Sequence, residues 1–204
     1  MASLYPTLER AAFGRKLEDA RTAFFDSVVC RKRLLLIGEG NGRFLAKCLQ
    51  RKIGGSITVV DLSGKMLSLV RSRVRRMELR TALELVHSDF RHWQEGRRRF
   101  DAVVTHFFLD LFLPDSQRTV IEKITALSQP ETIWVNIDFL PTLRSPLSRC
   151  VDWLQYRFDR LISGVEADHH YDAAPLIRAA GWISRQEKTY CDGSVIAELF
   201  EPSV

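Results

Sequence analysis

The fold of this 204-residue chain is decided by the stretch LLLIGEGNGRFL, residues 34–45. Its first four residues form a short apolar run typical of a buried strand, and the residues after the last glycine begin a segment with helical periodicity. Gly38, Gly40 and Gly42 stand between them at alternate positions, where the backbone can turn sharply and no Cβ blocks a ligand lying across the strand end. The stretch therefore predicts a strand, a ligand-binding loop and a helix.

Strand-like and helical segments alternate along the rest of the chain. Further apolar runs occupy 56–61, 82–87, 100–107 and 132–138. Apolar strands alternating with helices are typical of a parallel sheet that is covered by helices on both faces. Near the C-terminus, the runs 182–190 and 193–201 are joined by Cys191 and Asp192, and this spacing predicts a hairpin. We expect an α/β, three-layer sandwich with a seven-stranded, mostly parallel sheet and an antiparallel C-terminal hairpin.

The length fits one domain spanning 1–204. Two helical segments lie outside the alternation. Residues 1–30 form an N-terminal one, and 141–172 form a helical insert or lid between the fifth and sixth strands. The N-terminal segment carries an apolar stripe of Leu17, Ala20, Phe24 and Val28.

The composition excludes several classes of protein. Hydrophobic residues make up 46% of the chain and charged residues 27%, which suits a globular protein and not a disordered or fibrous one. No apolar run reaches the roughly 18 residues that a membrane-spanning helix needs, and the first thirty residues do not resemble a signal peptide. We therefore expect a cytoplasmic protein without membrane association. The four cysteines are spread singly without metal-ligand spacing, so we expect no metal site.

Acidic residues follow the second and third strands. Asp61, nineteen positions after the last glycine, lies beside the glycine loop and can accept both hydroxyls of a ribose, while Ser63 can cap the next helix. Asp89 can accept a hydrogen bond from an adenine amino group, with Phe90 or Leu62 covering a ring face; stabilising a turn is its alternative role. The GxGxG spacing differs from the GxGxxG of dinucleotide sites, which favours a nucleotide cofactor without a pyrophosphate.

These stretches resemble successive motifs of the class I S-adenosylmethionine-dependent methyltransferases. The resemblance covers roughly residues 34–200 and rests on LLLIGEGNGRFL, VVDLSGKMLSLVRSR, LVHSDFRHW and FDAVVTHFFLDLF. It implies a Rossmann-like fold, methyltransferase activity and S-adenosylmethionine as cofactor. It also implies a set of cofactor contacts: Gly38, Gly40 and Gly42 along the methionine and ribose, Asp61 on the ribose diol, and Asp89 with Phe90 around the adenine.

One position departs from the family pattern. Many members carry an acid two residues before the first glycine, where this chain has Leu36. Glu39 lies inside the loop instead, and we expect its carboxylate to meet the ammonium group of the cofactor or a bound water. A plain surface charge is the alternative for Glu39.

Methyl transfer requires a nucleophile held about 3 Å from the methyl carbon in a site that excludes bulk water. A base is needed only when the acceptor is a weakly acidic hydroxyl or a protonated amine. His106, at the end of the fourth strand, is our first catalytic candidate because strand ends of open α/β sheets face the ligand crevice. Asp110 is the second candidate, and a helix-start role is its alternative.

Aromatic residues are dense around these candidates and predict a small, partly apolar or aromatic acceptor. Phe107, Phe108 and Phe112 follow His106, and the region of the insert adds Phe139, Trp153, Tyr156 and Phe158. His169 and His170 follow the helical run within the insert and are further candidates to face the acceptor, although such a pair is more often exposed.

Two other functions stay open at this point. Arginine clusters at 71–80 and 97–99 would suit an RNA or protein methyltransferase. The first cluster is expected on the outer face of a crossover helix, away from the crevice. THFF stands where amino-methylating enzymes carry an Asn/Asp-Pro-Pro-aromatic motif. Both observations disfavour nucleic acid as a partner. The other function is a non-catalytic, cofactor-binding interaction protein. The aromatic insert helix would suit a homodimer surface.

Overall fold

The computed structural model describes residues 16–51, 53–77, 81–140, 166 and 170–203. Most of the helical insert lies outside the described residues, as do His169 and the first half of the N-terminal segment.

Seven strands form one sheet. They are β1 (Arg33–Ile37), β2 (Ser56–Asp61), β3 (Ala82–His87), β4 (Phe100–His106), β5 (Ser128–Phe139), β6 (Trp182–Tyr190) and β7 (Val195–Pro202). Their order across the sheet is β3-β2-β1-β4-β5-β7-β6. Strands β1 to β5 pair in parallel, whereas β7 pairs antiparallel with both β5 and β6. The expected α/β fold with a C-terminal hairpin is confirmed.

Helices cover both faces of the sheet. In the described part of the chain they are α1 (Lys16–Arg21), α2 (Phe25–Val29), α3 (Arg43–Gln50), α4 (Gly64–Val74), α5 (Pro114–Leu127) and α6 (Ala174–Ala179), with a 3₁₀ turn at Leu109–Leu111. Side chains of β4 alternate between two apolar layers, because successive residues of a strand point to opposite faces. Ala102 and Val104 pack with α1 to α4, whereas Val103 packs with α5 and α6. The fold is therefore a three-layer sandwich.

Local chemistry explains where two of the helices begin and end. Ser63 Oγ accepts a hydrogen bond from Met66 N at 3.3 Å and caps α4, as expected from the sequence. The N-terminal stripe is buried as predicted, but it belongs to two short helices and not to one. The break between them follows Thr22, whose hydroxyl donates to the Glu18 carbonyl at 3.0 Å and so competes with the helical pattern.

The C-terminal hairpin differs from its prediction in the length of its turn. Strand β7 begins at Val195, two residues later than expected, because Cys191, Asp192 and Gly193 all have positive φ angles, of 53°, 56° and 82°. Ser194 N then donates to the Cys191 carbonyl at 3.1 Å and closes the turn. Strand β5 is also longer than predicted and begins at Ser128. None of the helices in the described ranges is long and apolar enough to cross a bilayer.

Candidate cofactor and acceptor site

The glycine loop joins β1 to α3 in a left-handed backbone conformation. Gly38, Gly40 and Gly42 have φ angles of 64°, 66° and 76°. A Cβ on Gly38 would lie 2.6 Å from Phe108 Cδ2, and one on Gly42 would lie 3.0 Å from Val70 Cγ2. A Cβ on Gly40 would meet no atom within 4 Å. Packing therefore requires glycine at the two ends of the loop, while Gly40 borders open space that a ligand can fill.

Asp61 ends β2 beside this loop and is 9% exposed. Its Oδ2 accepts from Gly40 N at 3.3 Å, and its Oδ1 accepts from Ser63 N at 2.8 Å. Burial raises the pKa of Asp61, while these two N–H groups lower it. Each carboxylate oxygen retains a second acceptor position, so the pair can still accept both hydroxyls of a ribose. Leu62 follows Asp61 with 47% of its surface exposed, next to the same position.

Glu39 points into the protein and not toward the open side of the loop. Its Oε1 accepts from Leu45 N in the first turn of α3 at 3.0 Å. Burial raises the pKa of Glu39 to about 7, although the Leu45 N–H and the charge of Arg21 lower it. Gly42 has no side chain to cap α3, and Glu39 satisfies one of the amides at that helix start. This geometry favours a role in building the loop over the expected contact with an ammonium group.

Two residues that follow β3 are fixed in place, Asp89 by Arg91 and Phe90 by the apolar core. Asp89 accepts from Arg91 Nη2 at 2.7 Å, which lowers the pKa of Asp89, and Arg91 also pairs with Glu166. The ring of Phe90 is 4% exposed and packs near Trp93, with 6.2 Å between ring centroids. Phe90 thus faces the apolar layer, which leaves exposed Leu62 as the better candidate to cover a ligand ring.

His106 lies at the end of β4, as expected, on the face that carries Ala102 and Val104. Its ring packs edge-on against Phe44, with 4.8 Å between centroids, and the residue is 8% exposed. Burial, with a smaller effect from the Arg21 charge, lowers the pKa of His106 to about 3. A histidine with so low a pKa is a weak proton acceptor. The structure therefore argues against His106 as a catalytic base.

Asp110 lies in the 3₁₀ turn, with its side chain 2% exposed, and meets a histidine near the end of the insert. His170 Nδ1 lies 2.9 Å from Asp110 Oδ2, and the His170 side chain is 10% exposed. Asp138, near the end of β5, accepts from Phe108 N at 3.0 Å. Burial and the adjacent negative charge of Asp110 raise the pKa of Asp138 well above its ordinary value. Asp138 therefore favours its protonated form beside Asp110.

Aromatic rings connect this acidic cluster to the glycine loop. Phe139 stacks near His170 with 5.0 Å between centroids and near Phe107 with 4.8 Å. Phe108 packs against Phe112 at 5.1 Å and covers Gly38. The sequence indicated the aromatic residues and both members of the Asp110–His170 pair, but nothing in it paired residues sixty positions apart.

The arginine clusters have partners of their own. Arg73 Nε donates to the Asn41 carbonyl at 2.9 Å. This arginine of the first cluster therefore touches the glycine loop, whereas we had expected the whole cluster to lie away from the crevice. In the second cluster, Arg98 pairs with Glu84. Over the described ranges, no group of three or more His, Cys, Asp or Glu side chains is arranged to hold a metal ion.

Comparison with known proteins identifies the fold and the domain. Residues 34–131 match the family model described as a methyltransferase domain. The mitomycin 7-O-methyltransferase MmcR has a TM-score of 0.71 at 17% identity, over 99% of this chain and 58% of that one. N-methyltransferase NodS from Bradyrhizobium japonicum WM9, in complex with S-adenosyl-L-homocysteine, has a TM-score of 0.64 at 16% identity, over 94% and 88%.

A third structure resembles the chain over its whole length. The Burkholderia thailandensis 1,6-didemethyltoxoflavin-N1-methyltransferase, with its substrate and S-adenosylhomocysteine bound, has a TM-score of 0.69 at 17% identity. It covers 100% of this chain and 85% of that one. No curated protein matches the sequence.

The chain therefore has the fold of these methyltransferases, and its residues 34–131 match a methyltransferase domain. S-adenosylmethionine is the cofactor that this domain implies, and the glycine loop with Asp61 has the acceptors and the open space to fit it. The chain spans 58% of the length of the mitomycin enzyme.

Proposed function

We propose that this chain, as a single domain over 1–204, transfers a methyl group from S-adenosylmethionine to a small, partly apolar or aromatic molecule. The observation that carries the proposal is the contact between Asp61 and Gly40, because it places a buried carboxylate against the backbone of the open glycine loop. A nucleoside lying over Gly38, Gly40 and Gly42 would present its ribose diol to that carboxylate.

The adenine ring would lie beyond Asp61, against the exposed side chain of Leu62. Asp89 stands at the neighbouring strand end, and Arg91 fixes its carboxylate through the hydrogen bond at 2.7 Å. We assign Asp89 the adenine amino group and Phe90 a supporting role from the core. Glu39 holds the loop in shape from inside.

The acceptor would lie over the ends of β4 and β5, where the aromatic rings and the Asp110–His170 pair converge. Solved structures with the same fold include a mitomycin O-methyltransferase and a didemethyltoxoflavin N-methyltransferase, which supports a small-molecule acceptor here. His170 would receive the proton of an acceptor hydroxyl or ammonium group, with Asp110 orienting the imidazole. His106, buried on the opposite face of β4, would have a packing role.

The methyl donor supplies an electrophilic carbon on a sulfonium, and the protein contributes position and exclusion of water. The cofactor, held by the glycine loop and Asp61, would supply that carbon to the acceptor atom and would keep the electron pair of the broken carbon–sulfur bond on its sulfur. The proton lost by the acceptor goes to His170. Asp138, favoured in its protonated form beside Asp110, limits the negative charge that is buried under the histidine.

Calorimetric titration with S-adenosylhomocysteine tests the cofactor site. We expect the unaltered chain to bind, and Asp61→Asn to bind about 10- to 100-fold more weakly, because a hydrogen bond to a charged group is lost. Asp26→Asn is the matched control, since the Asp26 side chain is 90% exposed on α2. Equal affinities for Asp61→Asn and Asp26→Asn would contradict the proposal.

A further inference from the structure

Arg21, the last residue of α1, places a cation beside the end of β4. Its guanidinium carbon lies 5.0 Å from the centroid of the Phe107 ring. Phe107 is the first residue after β4 and has a φ angle of 52°. Leu17 and Ala20, 3% and 0% exposed, anchor α1 to the core, so the position of the arginine is set by packing. The N-terminal segment thereby contributes a charge to the strand ends that form the site.

The field of Arg21 reaches the glycine loop. Its positive charge lowers the pKa of both Glu39 in the loop and His106 at the end of β4. Glu39 directs its carboxylate to Leu45 N in α3, away from the open side of the loop. An anionic ligand over the loop would therefore meet a positive charge at the end next to β4.

The sheet order sets the distance between this cation and the ribose-binding acid. Strands β2 and β4 flank β1, and neighbouring strands lie about 4.8 Å apart, so Asp61 and the end of β4 are separated by about 10 Å across the sheet. The cofactor carries its amino-acid chain on the ribose 5′ carbon, at the opposite end from the adenine. With the diol on Asp61, that chain would extend over the glycine loop toward Phe107.

We infer that Arg21 binds the carboxylate of the methionine portion of the cofactor, an inference that rests on the proposed function. A guanidinium suits this task because its planar fork matches the two oxygens of a carboxylate.

Two ligands separate this role from a structural one. S-adenosylhomocysteine carries the amino-acid portion, whereas 5′-methylthioadenosine has the same nucleoside and a thioether sulfur but no carboxylate. We expect Arg21→Met to weaken S-adenosylhomocysteine binding about 10- to 100-fold in calorimetric titration, because a charge-assisted contact is lost. Binding of 5′-methylthioadenosine should not change.

Three controls sharpen the result. Lys16→Met removes an exposed cation from the same helix and should leave both affinities unchanged. Arg21→Lys retains the charge without the fork and should recover part of the S-adenosylhomocysteine affinity. Thermal unfolding of each variant without ligand reports any loss of packing on Phe107.

If Arg21→Met lost affinity equally for both ligands, or for neither, the proposed role of Arg21 would be overturned. Failure of the unaltered chain to bind either compound would instead contradict the proposed function, and this inference with it.

Discussion

His170 Nδ1 lies 2.9 Å from Asp110 Oδ2, although sixty residues separate the two in the sequence. Asp110 comes from the turn after β4, and His170 comes from the end of the insert, where the chain returns to the sheet. A carboxylate on one ring nitrogen fixes the orientation and the tautomer of an imidazole. The pair therefore has the arrangement of a base with its orienting acid, next to the rings that would hold an acceptor.

Substitution of His170, the proposed base, should slow methyl transfer without weakening the binding of the cofactor. We expect His170→Gln to lower the rate constant about 100-fold or more, the usual effect of losing a general base. His106→Gln should have little effect on the rate, because that ring packs against Phe44 on the other face. The assay is S-adenosylhomocysteine formation with a panel of hydroxyarenes and arylamines, and cofactor affinity is measured in parallel.

Acceptor acidity distinguishes a base from a packing residue. The loss in His170→Gln should be smallest for the most acidic hydroxyarenes, because these ionise without help. A uniform loss across the panel, or a larger effect from His106→Gln, would contradict this role. Turnover of no compound by a chain that binds the cofactor would contradict the acceptor class.

Asp138 should make the protein less stable as the pH rises. Its pKa is higher in the folded state than in the unfolded one, so the folded state binds the proton more tightly. The stability this provides is present below about pH 4, the ordinary range of an aspartate, and is lost as the pH rises toward the folded-state pKa. Asp138→Asn retains an acceptor for Phe108 N and should flatten this dependence. Urea unfolding from pH 4 to 8 checks it, and parallel curves for the two proteins would refute it.

Glu39 should also make the protein less stable as the pH rises, here between about pH 4 and pH 8. With a folded-state pKa of about 7 against 4.5, its proton stabilises the protein at pH 4, and up to about 3 kcal/mol is lost by pH 8. Glu39→Gln retains the acceptor for Leu45 N and should be the more stable protein at pH 8. Its affinity for S-adenosylhomocysteine should match that of the unaltered chain. A large loss of affinity would return Glu39 to direct contact with the cofactor.

Much of the fold could be predicted because strands carry strong local signals. Strands β2, β3 and β6 begin and end where their apolar and β-branched runs do, and Ser63 caps α4 as its position suggested. The hairpin turn was predicted too short. Cys191, Asp192 and Gly193 all have positive φ angles, but in the sequence the glycine is the clearest indication of such a conformation.

The site was harder to predict because it depends on which face each side chain takes. His106 ends a strand, as a catalytic residue often does, but the two-residue alternation places it with Ala102 and Val104 under α3. The pairing of Asp110 with His170 arises only when the chain returns to the sheet. Arg21 belongs to no motif, because its position beside Phe107 is set by the packing of α1.

The two glycines at the start of the loop should respond differently to alanine. Both have left-handed φ angles, which cost an L-residue about 1–2 kcal/mol. Gly38→Ala would also drive its Cβ into Phe108, so we expect it to destabilise the protein by about 1–3 kcal/mol more than Gly40→Ala. Denaturant unfolding measures both, and Phe108→Leu should relieve part of the Gly38→Ala defect. Equal costs at the two positions would show that Phe108 does not constrain the loop.

The most direct measurement is a crystal structure of the chain with S-adenosylhomocysteine. We expect the nucleoside to lie over residues 38–42, with both ribose hydroxyls about 3 Å or less from the carboxylate oxygens of Asp61. Density for the ligand elsewhere, or an Asp61 carboxylate that makes no contact with the ribose, would contradict the proposed site.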